Sequence, residues 1–167
     1  MTFTSDSIIF GQPMNCLEAI EKERIYGQLF CGSIAEDQYE LLGVTPMEHA
    51  ESVPAIAAAF GLSTEAKCYL EIDAELARAI LVHILHRDLA YHEPIMSLDR
   101  AEELASQFIQ EFGRPPCRFF TNGTFEQDAG GGLFLRTFHP ATGATFDTGV
   151  LVLGSAESAC VWVADED

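Results

Sequence analysis

The sequence predicts an α+β fold, with a helical N-terminal two-thirds packed on a C-terminal antiparallel β-meander, as a single domain over residues 1–167. Three observations lead there. Helix caps and breakers punctuate the chain up to Pro116 and strand patterns dominate after it, so nothing alternates in the way a parallel sheet requires. Residues 98–112 carry Ala101, Leu104, Ala105, Phe108, Ile109 and Phe112 at the i, i+3, i+4, i+7 spacing of an amphipathic helix. Val150, Leu151, Val152 and Leu153 are apolar at every position, which on a strand means that both faces are covered.

In chain order, Ile8, Ile9 and Phe10 read as an extended lead-in closed by Gly11 and Pro13. Asn15 and Glu18 form a capping box for a first helix, with Leu17, Ile20 and Ile25 on its inner face. Phe30, Cys31, Gly32 and Ser33 read as a break. A short helix over 35–42 ends at Gly43, a residue free to turn left-handed. Thr45, Pro46 and Glu48 mark a further helix start, and Ser52 caps another short helix over 53–60, ended by Gly61. Residues 67–72 alternate apolar and polar, favouring a strand over the start of a long helix. Asp73 caps a central helix over 74–91, rich in Leu and Ile, and Pro94 ends it. Ser97 caps the helix over 98–112, which Gly113, Pro115 and Pro116 stop. The meander then comprises strands at 117–120 and 133–138, a glycine-rich loop at 126–132, turns at Asn122-Gly123 and 140–143, and a hairpin from Thr145 to Ala164.

The charge balance is the unusual bulk property. There are 26 acidic and 9 basic residues, a net charge of −17, and the excess runs along the whole chain. Such a field repels nucleic acid and anionic membranes and attracts basic proteins. The plainer role of the same charge is solubility. The 5 cysteines lack C-x-x-C spacing and sit among apolar neighbours, as reduced, buried thiols do. No basic leader and no membrane-length apolar run is visible, so a cytoplasmic location is expected.

No catalytic constellation emerges, and no cofactor is expected. His83 and His86 share a helix face and could ligate a metal with His92 or His139, but the glutamate and third ligand of helical zinc motifs are not in place. Their ordinary reading is one buried, hydrogen-bonded histidine and one at the surface. His86-Arg87-Asp88-Leu89 is similar to the opening of a protein-kinase catalytic loop. Glu93 stands where that loop needs asparagine, and there is no D-F-G or phosphate loop, so Arg87 and Asp88 more simply satisfy neighbours at a helix end. Gly130, Gly131 and Gly132 lack the lysine of a phosphate cradle. Arg114 and Arg118 are the nearest thing to a basic pair.

The acids around the meander are the candidate partner-binding set: Glu126, Asp128, Asp147, Asp165, Glu166 and Asp167. Phe125, Phe134, Phe138 and Phe146 lie between them as possible apolar anchors. The competing reading makes the phenylalanines core and the acids solvated turns. In size, charge, helical first part and a sheet ending in W-x-x-D-E-D from Trp162, the chain resembles the bacterial immunity proteins made beside polymorphic or contact-dependent growth-inhibition toxins. The resemblance implies a non-enzymatic inhibitor that binds the C-terminal domain of a cognate toxin, typically a basic nuclease, and covers its active site or substrate groove. The alternatives are a small metal-dependent enzyme using His83 and His86, or an acidic adaptor subunit.

Overall fold

The computed structural model describes residues 15–45, 52–130 and 132–166. The lead-in at Ile8–Phe10 and most of the helix start at Thr45-Pro46-Met47-Glu48 lie outside them, as does Asp167. The described chain is α+β. Its elements are α1 (Cys16–Glu23), β1 (Gln28–Ala35), α2 (Glu36–Leu42), α3 (Ser52–Ala59), a 3₁₀ turn (Ala66–Cys68), β2 (Leu70–Ile72), α4 (Ala74–His86), α5 (Leu98–Phe112), β3 (Cys117–Thr121), β4 (Gly123–Gln127), β5 (Leu133–Phe138), β6 (Phe146–Gly154) and β7 (Glu157–Asp165).

Local chemistry explains the helix starts. Asn15, Asp73 and Ser97 each accept a backbone N–H three residues on, at 2.9, 2.8 and 3.1 Å. Gly43 closes α2 at φ +70°, a conformation that favours glycine. Pro54 sits in the first turn of α3, where its missing N–H would have had no helical partner.

Helices and strands are interleaved, which corrects the expected division into helical and sheet parts. Five strands form one antiparallel sheet in the order β1-β7-β6-β3-β2, so two of them come from the N-terminal half. The stretch Phe30–Ser33 that reads as a break lies within β1, paired with β7. Glycine there weakens a strand but leaves room: a Cβ on Gly32 would sit 3.6 Å from the Phe60 ring. Nor is the C-terminal part a simple meander. β4 and β5 leave the main sheet and pair as a separate hairpin, whose first strand takes up part of the expected loop. Asn122-Gly123 carries the chain from one sheet to the other. A Cβ on Gly123 would lie 2.1 Å from Thr137 O, so only glycine fits that approach.

β6 and β7 occupy the middle of the sheet, and both faces are covered, as their unbroken apolar sequences predict. On one side Val150, Val152, Ala159, Val161 and Val163 pack against α1, α4 and α5. On the other, Leu151, Leu153, Cys160 and Trp162 pack against residues of α2 and α3, including Tyr39 and Ile56. The Tyr39 hydroxyl fastens α2 to the β6–β7 turn through Gly154 O (2.8 Å) and Ser158 Oγ (2.7 Å). Among the described residues no helix is long and apolar enough to cross a membrane.

Candidate functional site

Two positions in the acidic set prove to be internal. Asp147 is fully buried beneath the loop that precedes β6. It accepts from Asn122 Nδ2 (2.8 Å), the Ala141 and Thr142 amides (3.0 and 3.1 Å), Thr142 Oγ1 (2.9 Å) and Trp162 Nε1 (3.1 Å). Asp165 is also fully buried, facing Arg24. Their two charge-assisted hydrogen bonds run from Nη1 to Oδ1 at 3.0 Å and from Nη2 to Oδ2 at 2.9 Å. Neither carboxylate is available at the surface, so the expectation that both contact a partner directly is corrected. A strand period of two explains it. Asp165 continues the inward row of Val161 and Val163, and Asp147 continues that of Leu151 and Leu153.

Arg24 joins more than Asp165. Its Nε donates to Ile84 O at 3.0 Å and its Nη1 to Tyr26 O, while Asp165 Oδ2 also accepts the Leu89 amide at 2.8 Å. One buried ion pair therefore pins the α1–β1 connection, the end of α4, the loop after it and the end of β7. Gly27 admits this closure: it sits at φ +70°, and a Cβ there would be 2.0 Å from Asp165 Oδ1.

The loop after α4 is shaped by Asp88, which is 1% exposed and accepts the amides of Ala90, Tyr91 and Glu93 at 3.1, 2.7 and 2.6 Å. This capture ends α4 at His86, five residues before the helical pattern suggests. Arg87 donates to His92 O. Arg87 and Asp88 thus serve their neighbours, as the plainer reading of His86–Leu89 anticipates.

The loops that the ion pair holds expose apolar and aromatic side chains. Ile25 is 82%, Tyr91 58% and Tyr26 40% exposed. Partial desolvation, then the Asp88 and Asp165 charges and nearby Tyr91, push the Tyr26 phenol above its usual pKa. Ile25 was expected on the inner face of the first helix, but α1 stops at Glu23 and the side chain turns outward. Exposed Glu166 lines a small cleft with Tyr26, Gln28 and Ala144. It accepts from the Thr145 amide at 3.2 Å and from the Thr145 hydroxyl. Spacing in the chain does not reveal this assembly, because Arg24 and Asp165 are 141 positions apart.

Glu126 and Asp128 lie elsewhere, on the β4–β5 hairpin. Glu126 pairs with Arg136 across the strands, and Asp128 Oδ1 accepts the Gly130 and Gly132 amides at 2.9 and 2.8 Å. The expected set is therefore split between two places. Of the four phenylalanines, Phe125 and Phe146 pack against the core, whereas Phe134 is 36% exposed.

Between this hairpin and α4 is a cleft of about 800 Å³ that contains His83, His86 and His92. His83 is buried and its Nε2 has no partner, while half-buried His86 bonds Met96 O through Nδ1 at 2.8 Å. The hydrogen-bonded histidine is thus the more open one. Burial, then the proximity of His92, pushes His83 down to about 4. Among the described residues no group of three or more His, Cys, Asp or Glu side chains could hold a metal ion. The five cysteines are unpaired, and burial raises Cys16 and Cys31 to about 12, far from a reactive thiolate. Arg118 pairs with Glu71 at 2.9 Å and lies over the Phe120 ring, so it forms no basic patch with Arg114.

Comparison with known proteins yields no relative: no family model, curated protein or solved structure matches this chain.

Proposed function

We propose that this chain is an inhibitory binding protein of the toxin-immunity type, acting in the cytoplasm on the basic C-terminal nuclease domain of a cognate toxin and covering its active site or substrate groove. The carrying observation is the exposure of Ile25, Tyr26 and Tyr91 on the loops that a buried ion pair holds, with exposed Glu166 lining a cleft beside Tyr26, in a protein of net charge −17. Rigid tyrosines beside acidic side chains suit capture of a basic surface: the aromatics supply desolvated anchors and the charge supplies orientation and a fast approach. In this reading Asp165 acts from beneath, by holding the two loops that present Ile25, Tyr26 and Tyr91. Glu166 is the acid of the original set that touches the partner at this patch.

The test is affinity capture from the native host at low salt, followed by titration of the recovered partner. A basic domain from the end of a secreted protein, bound at least tenfold more weakly by Tyr26→Ala or Tyr91→Ala, is the expected result, since interface tyrosines commonly contribute about 2 kcal/mol or more. Equal binding by both variants overturns the patch. Recovery of a non-toxin assembly as the stoichiometric partner overturns the immunity reading in favour of an adaptor.

A further inference from the structure

We propose that His83 and the loop over residues 87–95 form an acid-sensitive catch: a proton taken up at His83 Nε2 displaces His92 and frees the loop that carries Tyr91. The proposal does not depend on the immunity reading.

The first support is the setting of His83. The residue is 7% exposed, and its Nε2 is buried without a hydrogen-bond partner. In the tautomer protonated at Nδ1, that nitrogen is only an unpaired acceptor. An imidazolium there adds an N–H with nothing to receive it and a full buried charge, which is far more costly.

The second support is the charge around the ring. His86 lies on the same helix, Arg87 at its end, His92 on the loop and Arg24 on the connection after α1, and each opposes a positive His83. Exposed Arg78 lines the same cleft. The carboxylates of the neighbouring elements are engaged. Asp165 holds Arg24 and the Leu89 amide, Asp88 holds the amides of Ala90, Tyr91 and Glu93, and Asp128 holds the hairpin amides. Glu93 on the loop and Glu102 on α5 are exposed, where solvent screens them. The C-terminal end of α4 favours a cation, but burial and the like charges outweigh it. His83 therefore resists protonation while the loop is closed.

The third support is the part that yields. The His92 ring lies 6.3 Å from the His83 ring, centroid to centroid, and the residue is exposed. Its φ is +58°, the one positive value outside glycine among the described residues. Side-chain-bearing residues populate that region sparsely. Arg87 Nη1 holds it there by donating to His92 O, and the Asp88 amide donates to Glu93 O at 3.1 Å. Outward rotation of His92 relieves the φ, admits water to His83 Nε2 and moves a ring away from the imidazolium. The helix behind does not yield, because Ile80, Leu81, Ile84 and Leu85 are fully buried. Tyr91 moves with the loop, so a partner docked on it is released as the pH falls; that consequence alone rests on the docking reading.

The deciding experiment uses the isotopically labelled free chain. It follows imidazole NMR signals and amide hydrogen-exchange protection between about pH 7.5 and 4. The His83 ring is expected to titrate near 4, against an ordinary 6.5. The amides of Tyr91, Glu93 and Ile95 are expected to be less protected than those of β6 and β7 throughout. Their protection should fall about thirtyfold from pH 7.5 to 5, the ratio for a proton bound at 6.5 in the open loop and about 4 in the closed one. His92→Gly accepts the positive φ and removes the cover, so it should raise the His83 midpoint toward 6.5 and shrink that response. His83→Gln should abolish the response, which separates His83 from the loop carboxylates. Loop amides as protected as the central strands at every pH overturn the proposal, since opening is then global. So does an equal pH response in His83→Gln, or an unmoved His83 midpoint in His92→Gly.

Discussion

Removal of the Asp165 carboxylate leaves the Arg24 guanidinium buried without a counter-charge. Asp165→Ala is therefore expected to cost about 3–5 kcal/mol in urea unfolding, whereas exposed Glu166→Ala stays within about 0.5 kcal/mol. A joint Arg24→Met, Asp165→Leu replacement should lose less than Asp165→Ala, because an apolar pair strands no charge. Additive losses would show that the pair is not coupled. His83 gives a pH-dependent counterpart. Its folded pKa of about 4 lies below the ordinary 6.5, so the unfolded chain binds the proton more readily between those values. The neutral ring's contribution is present above pH 6.5 and declines as pH falls toward 4, by about 2 kcal/mol at pH 5. Urea midpoints at pH 7 and 5 should differ less in His83→Gln than in the unmodified chain; an unchanged difference excludes His83 as the source. At this scale the sequence contained more than its charge runs suggest. Asp165, read as a partner-binding acid, lies two residues after Val163 and four after Val161, a spacing that already assigns it to their inner face.

The central strands carry the element-scale argument. Gly149 in β6 faces Val161 and Trp162 of β7, and a Cβ added there would meet Val161 O at 2.3 Å and Trp162 Cα at 2.5 Å. Gly149→Ala is expected to separate the strands and displace the indole from Asp147, with a loss of about 1–3 kcal/mol and a red-shifted Trp162 emission. Trp162 is the only tryptophan, so the emission reports this site alone. Native stability with an unshifted spectrum would mean that the strands accommodate the methyl. Legibility differs by element for a physical reason. Asn15, Asp73 and Ser97 announce helices because capping is local, within three residues. Among the described residues β1 is an edge strand containing Gly32 and Ser33, and its pairing with β7 supplies what its own composition does not. The end of α4 was hidden likewise, because the Asp88 side chain folds the loop that the helical pattern would have continued.

For the molecule as a whole, the net charge of −17 makes a kinetic prediction. Association with a basic partner should slow at least tenfold between about 0.02 and 0.5 M salt while dissociation changes little, because steering acts over a Debye length and the apolar contact does not. Stopped-flow measurement of both rates checks this; a salt-independent association rate would reduce the charge to a solubility device. The α+β class and the two-sided burial of β6 were readable in the sequence. The position of the candidate docking patch was not, since it exists only where Arg24 meets Asp165.

That separation also imposes an order of events during synthesis. β7 lies between β1 and β6, yet among the described strands it comes latest in chain order. At cellular elongation rates the 141 positions between Arg24 and Asp165 take on the order of ten to thirty seconds. Throughout that interval β1 lacks β7, its partner strand among the described residues, and Arg24 lacks the Asp165 carboxylate. Closure of the sheet around β7 and formation of the ion pair therefore both wait for the same segment, and until it emerges the surface it covers is the kind that promotes misassembly.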